Sequence, residues 1–190
     1  MGYKVPVGLS NKHLHLSQAD LETLFGKGYE LHPTKPLKQP GQFASEEKVD
    51  IVGPKNTLKG IRVLGPVRKE TQIELAMTDA RTIGVKAPVR ESGKLEGTPG
   101  VKLIGPAGEV ELDHGVIVAL RHIHLSAAQA KEAGLNDHQV VSVKVPGERG
   151  LVFENVLVRA GDGHEREIHL DTDEGNAAGL SNDVEVEILA

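Results

Sequence analysis

Short runs in which apolar and polar residues alternate dominate the chain, as in residues 141–145 and 184–188. Alternation with a period of two places every second side chain on one face, which is typical of half-buried strands. Gly-Pro pairs that follow apolar pairs mark turns between such runs. Many short strands with few helical stretches indicate a mainly β protein, a barrel or a sandwich. Strands are predicted at residues 4–9, 48–52, 60–64, 70–75, 85–89, 101–104, 108–112, 115–120, 139–145, 151–158, 166–170 and 184–189.

One supersecondary unit recurs along the chain. It consists of a strand, a polar residue at the strand end, one or two helical turns, a glycine and a further strand. The glycines are expected to end the helical turns in a left-handed conformation. The interval from the strand-end residue to the glycine is the same in the copies that end at Gly84, Gly134 and Gly179. The repeat therefore places four residues at equivalent positions, namely His15, Glu74, His124 and His169.

The serine after each His-x-His motif is expected to cap the helix that follows. Ser126 with Gln129 forms a capping-box pattern, and Ser17 with Asp20 forms a looser version. We therefore interpret both serines as helix caps rather than as nucleophiles.

Two nearly identical motifs, His13-Leu14-His15-Leu16-Ser17 and His122-Ile123-His124-Leu125-Ser126, predict metal binding. In a strand, side chains at i and i+2 share a face, so both imidazoles of each pair can reach one ion. The alternative is that these histidines are core or surface residues of paired strands. Because the motif occurs twice in the same context, we predict two metal sites.

The repeat also marks candidates for a third ligand. Taken alone, Glu74 is typical of a solvated strand residue, but its register matches that of the histidines and favours metal ligation. Glu167 lies on the same strand face as His169 and is either functional or a surface charge. The histidines outside the repeat register are interpreted as structural or surface residues; they are His32, His114, His138 and His164.

Composition excludes several functions. The net charge of −5 argues against nucleic acid or an anionic membrane as the main partner. The chain has no cysteine, which removes disulfides, thiolate ligands and a cysteine nucleophile. No apolar run approaches the length of a membrane span and no secretory signal is visible, so a cytoplasmic location is expected. Residues 30–47, with Lys35 and Lys38, are predicted to form an irregular basic loop that covers a ligand.

Several spaced motifs together resemble the PduL-type phosphotransacylases (phosphate propanoyltransferases). The motifs are residues 7–17, Arg62-Val63-Leu64-Gly65-Pro66-Val67-Arg68, Thr78-Asp79-Ala80-Arg81, residues 121–124 and residues 169–176. The resemblance covers essentially the whole chain. It implies two small β-barrels capped by short α-helices, with chain segments exchanged between the barrels. The first barrel would comprise residues 1–11 and 120–190, and the second residues 12–119.

The same resemblance implies the site residues and two zinc ions. His13, His15 and Glu74 would hold one ion, with the coenzyme A sulfur as fourth ligand. The second ion would be held by three histidines and waters. Arg68 matches the phosphate-binding arginine, and we expect it and Glu74 to be catalytic. The second zinc ligand set is His122, His124 and His169, and the coenzyme A contacts would be Ser10, Lys35, Arg62, Leu64 and Asn176.

The implied reaction converts a short-chain acyl-CoA (propanoyl or acetyl) and phosphate to acyl phosphate and coenzyme A, reversibly. We expect direct attack of phosphate on the thioester without an acyl-enzyme. The alternatives are a zinc-dependent thioester or ester hydrolase, and a non-catalytic metal-stabilised β-barrel module. A homodimer is compatible with exchanged strands but not required by them.

The family also includes members housed in bacterial microcompartments for propanediol utilisation, which carry an amphipathic N-terminal packaging extension. Here the first strand is predicted to begin at residue 4, so no such extension is expected. A microcompartment location stays open beside the cytoplasmic one.

Overall fold

A computed structural model describes residues 2–189 and divides the chain into two compact units. One unit comprises Met1–Asn11 and Leu120–Ala190, and the other comprises Lys12–Ala119. The strands are β1 (Lys4–Ser10), β2 (His13–His15), β3 (Pro33–Pro36), β4 (Phe43–Val52), β5 (Thr57–Gly65), β6 (Gln72–Glu74), β7 (Val89–Arg90), β8 (Lys102–Ile104), β9 (Glu109–Glu111), β10 (Val116–Ala119), β11 (His122–Leu125), β12 (Val140–Val145), β13 (Leu151–Ala160), β14 (Glu167–Asp171) and β15 (Glu185–Leu189). The helices are α1 (Gln18–Phe25), α2 (Met77–Ile83), α3 (Ala127–Ala133) and α4 (Thr172–Ala178).

The unit that contains both chain ends is a closed six-stranded barrel in the order β1-β14-β11-β13-β12-β15. Strand β1 closes it by pairing in parallel with β14 and antiparallel with β15. Alternating aliphatic side chains fill the interior, because a small barrel leaves room only for side chains. Val7, Ile123, Val143, Val156 and Ile168 are all fully buried there.

The Lys12–Ala119 unit is built on a nine-stranded sheet that curves as a half-barrel. Its strands run in the order β7-β10-β6-β2-β5-β4-β8-β9, and β3 pairs with β4. Leu14, Leu24, Ile51, Ile73 and Leu103 are fully buried in its core. The predicted mainly β class with short helices is therefore confirmed, with one closed barrel and one half-barrel.

The helix boundaries follow the repeat. Ser126 and Gln129 form the predicted capping box, and Ser17 accepts a hydrogen bond from the Asp20 amide. Helices α2, α3 and α4 end at glycines in the left-handed conformation, as expected. Gly26 after α1 differs, with φ 117° and ψ 154°, which lies outside that region.

Two local predictions are wrong. Residues 30–47 are not an irregular loop, because most of them belong to the hairpin of β3 and β4. Strand β3 tolerates Pro33 and Pro36 because it is an edge strand that pairs with β4 alone. The segment is not basic either, since it carries more glutamates than lysines. The strand predicted at residues 85–89 is wrong for most of its length, because β7 begins only at Val89.

Among residues 2–189, no helix is both long and apolar enough to span a membrane.

Candidate functional site

Two antiparallel strand pairs carry the predicted ligands in the same arrangement, one pair in each unit. In the Lys12–Ala119 unit, β2 lies beside β6, so that His13 faces Glu74 and His15 faces Gln72. In the closed barrel, β11 lies beside β14 in the corresponding register, with His122 opposite His169 and His124 opposite Glu167. The sequence repeat is therefore a repeat of cross-strand geometry.

The first group, here called the His–His–Glu cluster, consists of His13, His15 and Glu74. One potential ligand atom from each residue lies within 4.8 Å of the others. The His13 Nε2 is 3.6 Å from a Glu74 carboxylate oxygen. Both histidines are buried, and only about a tenth of the Glu74 side chain is exposed. The structure thus brings these three predicted residues together.

Hydrogen bonds define the tautomer of His15. Its Nδ1 lies 3.1 Å from the Leu64 carbonyl oxygen, which can only accept, so Nδ1 carries the proton. Its Nε2 lies 2.9 Å from an Arg68 guanidinium nitrogen, which can only donate. Burial, together with the neighbouring His13 and Arg68, lowers the pKa of His15 to about 3. His15 is therefore neutral at pH 7, the form that binds metal ions.

Burial alone would raise the pKa of Glu74, but the hydrogen bond and electrostatic interaction with His13, together with the nearby His15 and Arg68, outweigh burial. The net effect holds the Glu74 pKa far below its ordinary value. Glu74 is consequently a carboxylate at neutral pH and can contribute charge to a cation site.

Arg68 lies at the edge of the His–His–Glu cluster, in the loop after β5. Its amide donates to the Leu16 carbonyl oxygen, and its guanidinium donates to Ser92 Oγ at 3.2 Å. Ser92 also accepts from the Gln72 side-chain amide at 2.8 Å. Contacts with His15 and Ser92 thus place the guanidinium beside the cluster.

Two of the three predicted coenzyme A contacts of this unit, Lys35 and Leu64, lie on one row across the sheet. Lys35 on β3 and Leu64 on β5 both pair with Ala44 on β4, from opposite sides. The Leu64 carbonyl in turn accepts from His15, so the row ends at the cluster. Arg62 lies further along β5, opposite Lys48, and its guanidinium donates to the Ser45 carbonyl.

The second group, the three-histidine cluster, consists of His122, His124 and His169. Their ring centroids are 4.7–5.0 Å apart, and their ligand atoms lie within 4.8 Å of one another. The Nε2 atoms of His122 and His124 are 3.1 Å apart. The Nδ1 of His122 lies 2.8 Å from the Leu120 carbonyl oxygen and donates to it, which directs the Nε2 lone pair of a neutral ring into the cluster.

His164, which the sequence analysis assigned to structure or surface, contacts this cluster. Its Nδ1 is 2.9 Å from the Nδ1 of His124, so one ring donates to the other. Burial, with help from His122 and His169, lowers the pKa of His124 strongly and keeps the ring neutral. Burial also lowers the pKa of His164. No spacing rule pointed to His164, because it lies in a turn outside the repeat.

Both clusters fit a divalent cation by their donor chemistry. Two nitrogens that bind one zinc ion at about 2.0–2.1 Å lie roughly 2.8–3.0 Å apart in octahedral geometry and roughly 3.3–3.4 Å apart in tetrahedral geometry, an overall range of about 2.8–3.4 Å. The 3.1 Å separation between His122 and His124 falls within that range. His15 and His122 each have their other ring nitrogen held by a backbone carbonyl, which is the usual outer partner of metal-binding histidine.

The remaining predicted residues of the closed barrel lie near one another along β1 and α4. Ser10 pairs with Asp171 at the end of β14, and Asp171 caps α4, which carries the exposed Asn176. Arg121 forms an ion pair with Glu174 at 2.8 Å and lies over the Phe153 ring, which indicates a structural role.

The other three histidines outside the repeat are surface residues. The imidazole of His32 lies 2.7 Å from Glu47, that of His114 lies 2.5 Å from Asp113, and that of His138 lies 3.4 Å from Asp137. Each of these side chains is well exposed, as predicted. The sequence alone assigned no role to Ser92 or Gln72.

The fold and the clusters describe a β-barrel protein with two metal-competent sites, and comparison with known proteins gives its class. The family described as phosphate propanoyltransferase matches residues 6–181. Several curated relatives carry that same name. The chain is 55% identical to one from Thermotoga maritima, over 92% of this chain and 84% of the relative. It is 50% identical to one from Rhodopseudomonas palustris, over 98% of this chain and 82% of the relative. It is also 50% identical to one from Salmonella typhimurium, over 94% and 85%.

The chain therefore belongs to the phosphate propanoyltransferase family, as its motifs suggested. Membership makes it an acyltransferase.

Proposed function

We propose that this protein transfers a propanoyl or acetyl group between coenzyme A and inorganic phosphate, with one zinc ion at each cluster. The observation that carries the proposal is the position of Arg68. Its guanidinium, a natural phosphate ligand, lies 2.9 Å from the Nε2 of His15 in the His–His–Glu cluster. An acceptor site for phosphate thus adjoins a site that can hold a cation.

The metal ligands would be His13, His15 and Glu74 in one unit, and His122, His124 and His169 in the other. A divalent cation there would supply Lewis acidity, polarising the thioester carbonyl and stabilising the departing thiolate. Three protein ligands at each cluster leave coordination positions free, as catalytic sites require. Glu74 contributes the negative charge of its cluster because its lowered pKa keeps it ionised.

Arg68 would bind phosphate through the two-pronged geometry of its guanidinium. The thioester substrate and phosphate are both anionic molecules, so their approach needs positive charge from the protein. Contacts with His15 and Ser92 position the guanidinium beside the His–His–Glu cluster. A lysine would supply the charge but not the fork.

The acyl group would pass to phosphate in one displacement. A phosphate oxygen attacks the thioester carbonyl carbon, the carbon–sulfur bond breaks, and coenzyme A leaves as its thiolate. The chain has no cysteine to form an acyl-enzyme, and the two serines after the His-x-His motifs serve as helix caps. Trapping of an acylated protein after incubation with acyl-CoA alone would contradict this step.

Lys35, Arg62 and Leu64 are the proposed coenzyme A contacts of the Lys12–Ala119 unit. Ser10 and Asn176 are the corresponding candidates on the closed barrel. The alignment of Lys35 and Leu64 on one row that ends at His15 supports the first set. A homodimer and a cytoplasmic or microcompartment location remain predictions from the sequence.

The first test measures free thiol release from acetyl-CoA and propanoyl-CoA, with and without phosphate, before and after chelation. Release that requires phosphate, stops on chelation and returns with Zn²⁺ is the expected result, and the two rates rank the substrates. Release without phosphate would instead identify a hydrolase. No release from folded, metal-loaded protein would identify a non-catalytic module.

A further inference from the structure

A second repeated contact accompanies the two clusters. Glu74 and His169 are the third residues of the two clusters. Each of them is hydrogen-bonded to the residue two positions before it on the same strand. The Gln72 side-chain amide donates to Glu74 at 2.5 Å. The His169 Nε2 lies 2.7 Å from a Glu167 carboxylate oxygen. Gln72 and Glu167 occupy equivalent register positions, opposite His15 and His124 respectively.

The chemistry of each contact matches the group that it holds. Glu74 is a carboxylate, which accepts hydrogen bonds, and its partner is an amide donor. His169 is an imidazole, which donates from one nitrogen while the other binds metal, and its partner is a carboxylate acceptor. Carboxylate–histidine pairs of this kind orient metal-binding rings and strengthen their donation to the ion.

Glu167 is built into the barrel rather than carried on its surface. Only 9% of the residue is exposed. Room for its side chain comes from β1, where Gly8 pairs with His169. A Cβ on Gly8 would lie 2.6 Å from Glu167 Cδ, and the three nearest atoms to that Cβ all belong to Glu167. The absence of a side chain at Gly8 thus creates the space that Glu167 fills.

We infer that Glu167 is a positioning residue for the three-histidine cluster. It holds the His169 ring and adds a negative charge to a ligand set that otherwise consists of neutral imidazoles, and both effects favour a divalent cation. Gly8 serves the same end by admitting the Glu167 side chain. This inference rests on the proposed metal sites.

The test measures zinc affinity of the purified full chain by competition with a chromophoric chelator, and the absorption spectrum of the Co²⁺-loaded protein. The variants are Glu167→Ala, Glu167→Gln, Gly8→Ala and the double variant Glu167→Ala/Gly8→Ala. Glu154→Gln, at an exposed glutamate on β13, is the matched control. Circular dichroism checks the fold of each variant. If Glu167→Ala does not fold, the isosteric Glu167→Gln and the Gly8→Ala variant carry the test.

We expect Glu167→Ala to lower the affinity for one of the two zinc ions by about 10- to 100-fold and to alter the absorption spectrum of the Co²⁺-loaded protein. Glu167→Gln should lower the zinc affinity by a smaller factor, because the glutamine amide oxygen can still accept a hydrogen bond from His169. Gly8→Ala should weaken binding of the same ion in the wild-type background but not in the Glu167→Ala background, since the three nearest atoms to the added Cβ all belong to Glu167. The control should match wild type.

Two tightly bound ions of unchanged affinity in both Glu167→Ala and Gly8→Ala would overturn the inference and leave the proposed function standing. If Gly8→Ala reduces zinc affinity by the same factor in the wild-type and Glu167→Ala backgrounds, the link between Gly8 and Glu167 is overturned. A wild-type chain that binds no second ion would overturn both the inference and the two-metal part of the proposed function.

Discussion

Replacement of Arg68 tests the proposed acceptor site most directly. Arg68→Lys preserves the charge but not the planar fork, whereas Arg68→Ala removes both. Hydrogen bonds to charged groups contribute about 1.5–3 kcal/mol each. Loss of one such bond to phosphate therefore predicts a fall in kcat/KM for phosphate of about 10- to 150-fold, at 1.4 kcal/mol per factor of ten. The fall in kcat/KM should be at or beyond the upper end of this range for Arg68→Ala and nearer its lower end for Arg68→Lys.

The assay follows thiol release at saturating acyl-CoA over a range of phosphate concentrations. Because Arg68 also contacts His15, zinc content must be measured for each variant, so that lost metal is not mistaken for lost phosphate binding. Arg90→Ala is the control, since Arg90 is exposed and donates only to its neighbour's carbonyl among the contacts described within residues 2–189. An unchanged phosphate KM in metal-loaded Arg68→Ala would refute the assignment.

Three further variants test the clusters and the fold. Glu74→Gln keeps the shape but removes the charge, so zinc affinity at one site should fall at least about tenfold by chelator competition; unchanged affinity would exclude Glu74 as a ligand. The bond to Glu47 raises the pKa of exposed His32, so this contact stabilises the fold below about pH 6.5 and is lost as pH rises through the raised value. His32→Gln should accordingly lower Tm at pH 6 but not at pH 9, and an equal loss at both would contradict this. Leu24→Ala, at a fully buried residue, should cost about 2–5 kcal/mol in urea unfolding, with Leu189→Ala, at a 40% exposed residue, as the mild control.

The candidate metal ligands could be identified from the sequence because they depend on short spacings along the chain. A His-x-His pair needs only a strand to place both rings on one face, so His13 with His15 and His122 with His124 could be paired from the sequence. The repeat then singled out Glu74 and His169. Capping depends on neighbours three residues apart, which is why Ser126 and Gln129 could be matched without a structure.

Strand pairing decided what surrounds those ligands, because it joins residues that are far apart in the chain. The half-barrel and the bond between Arg68 and His15 both arise from such pairings. The contact of His164 with His124 joins the connection between β13 and β14 to strand β11, and no pattern along the chain predicts it. Glu167 shows the limit most clearly. Its position on the same strand face as His169 could be seen in the sequence. Whether it is a surface charge or a partner of His169 depends on the space beside Gly8, which lies on a strand from the other end of the chain.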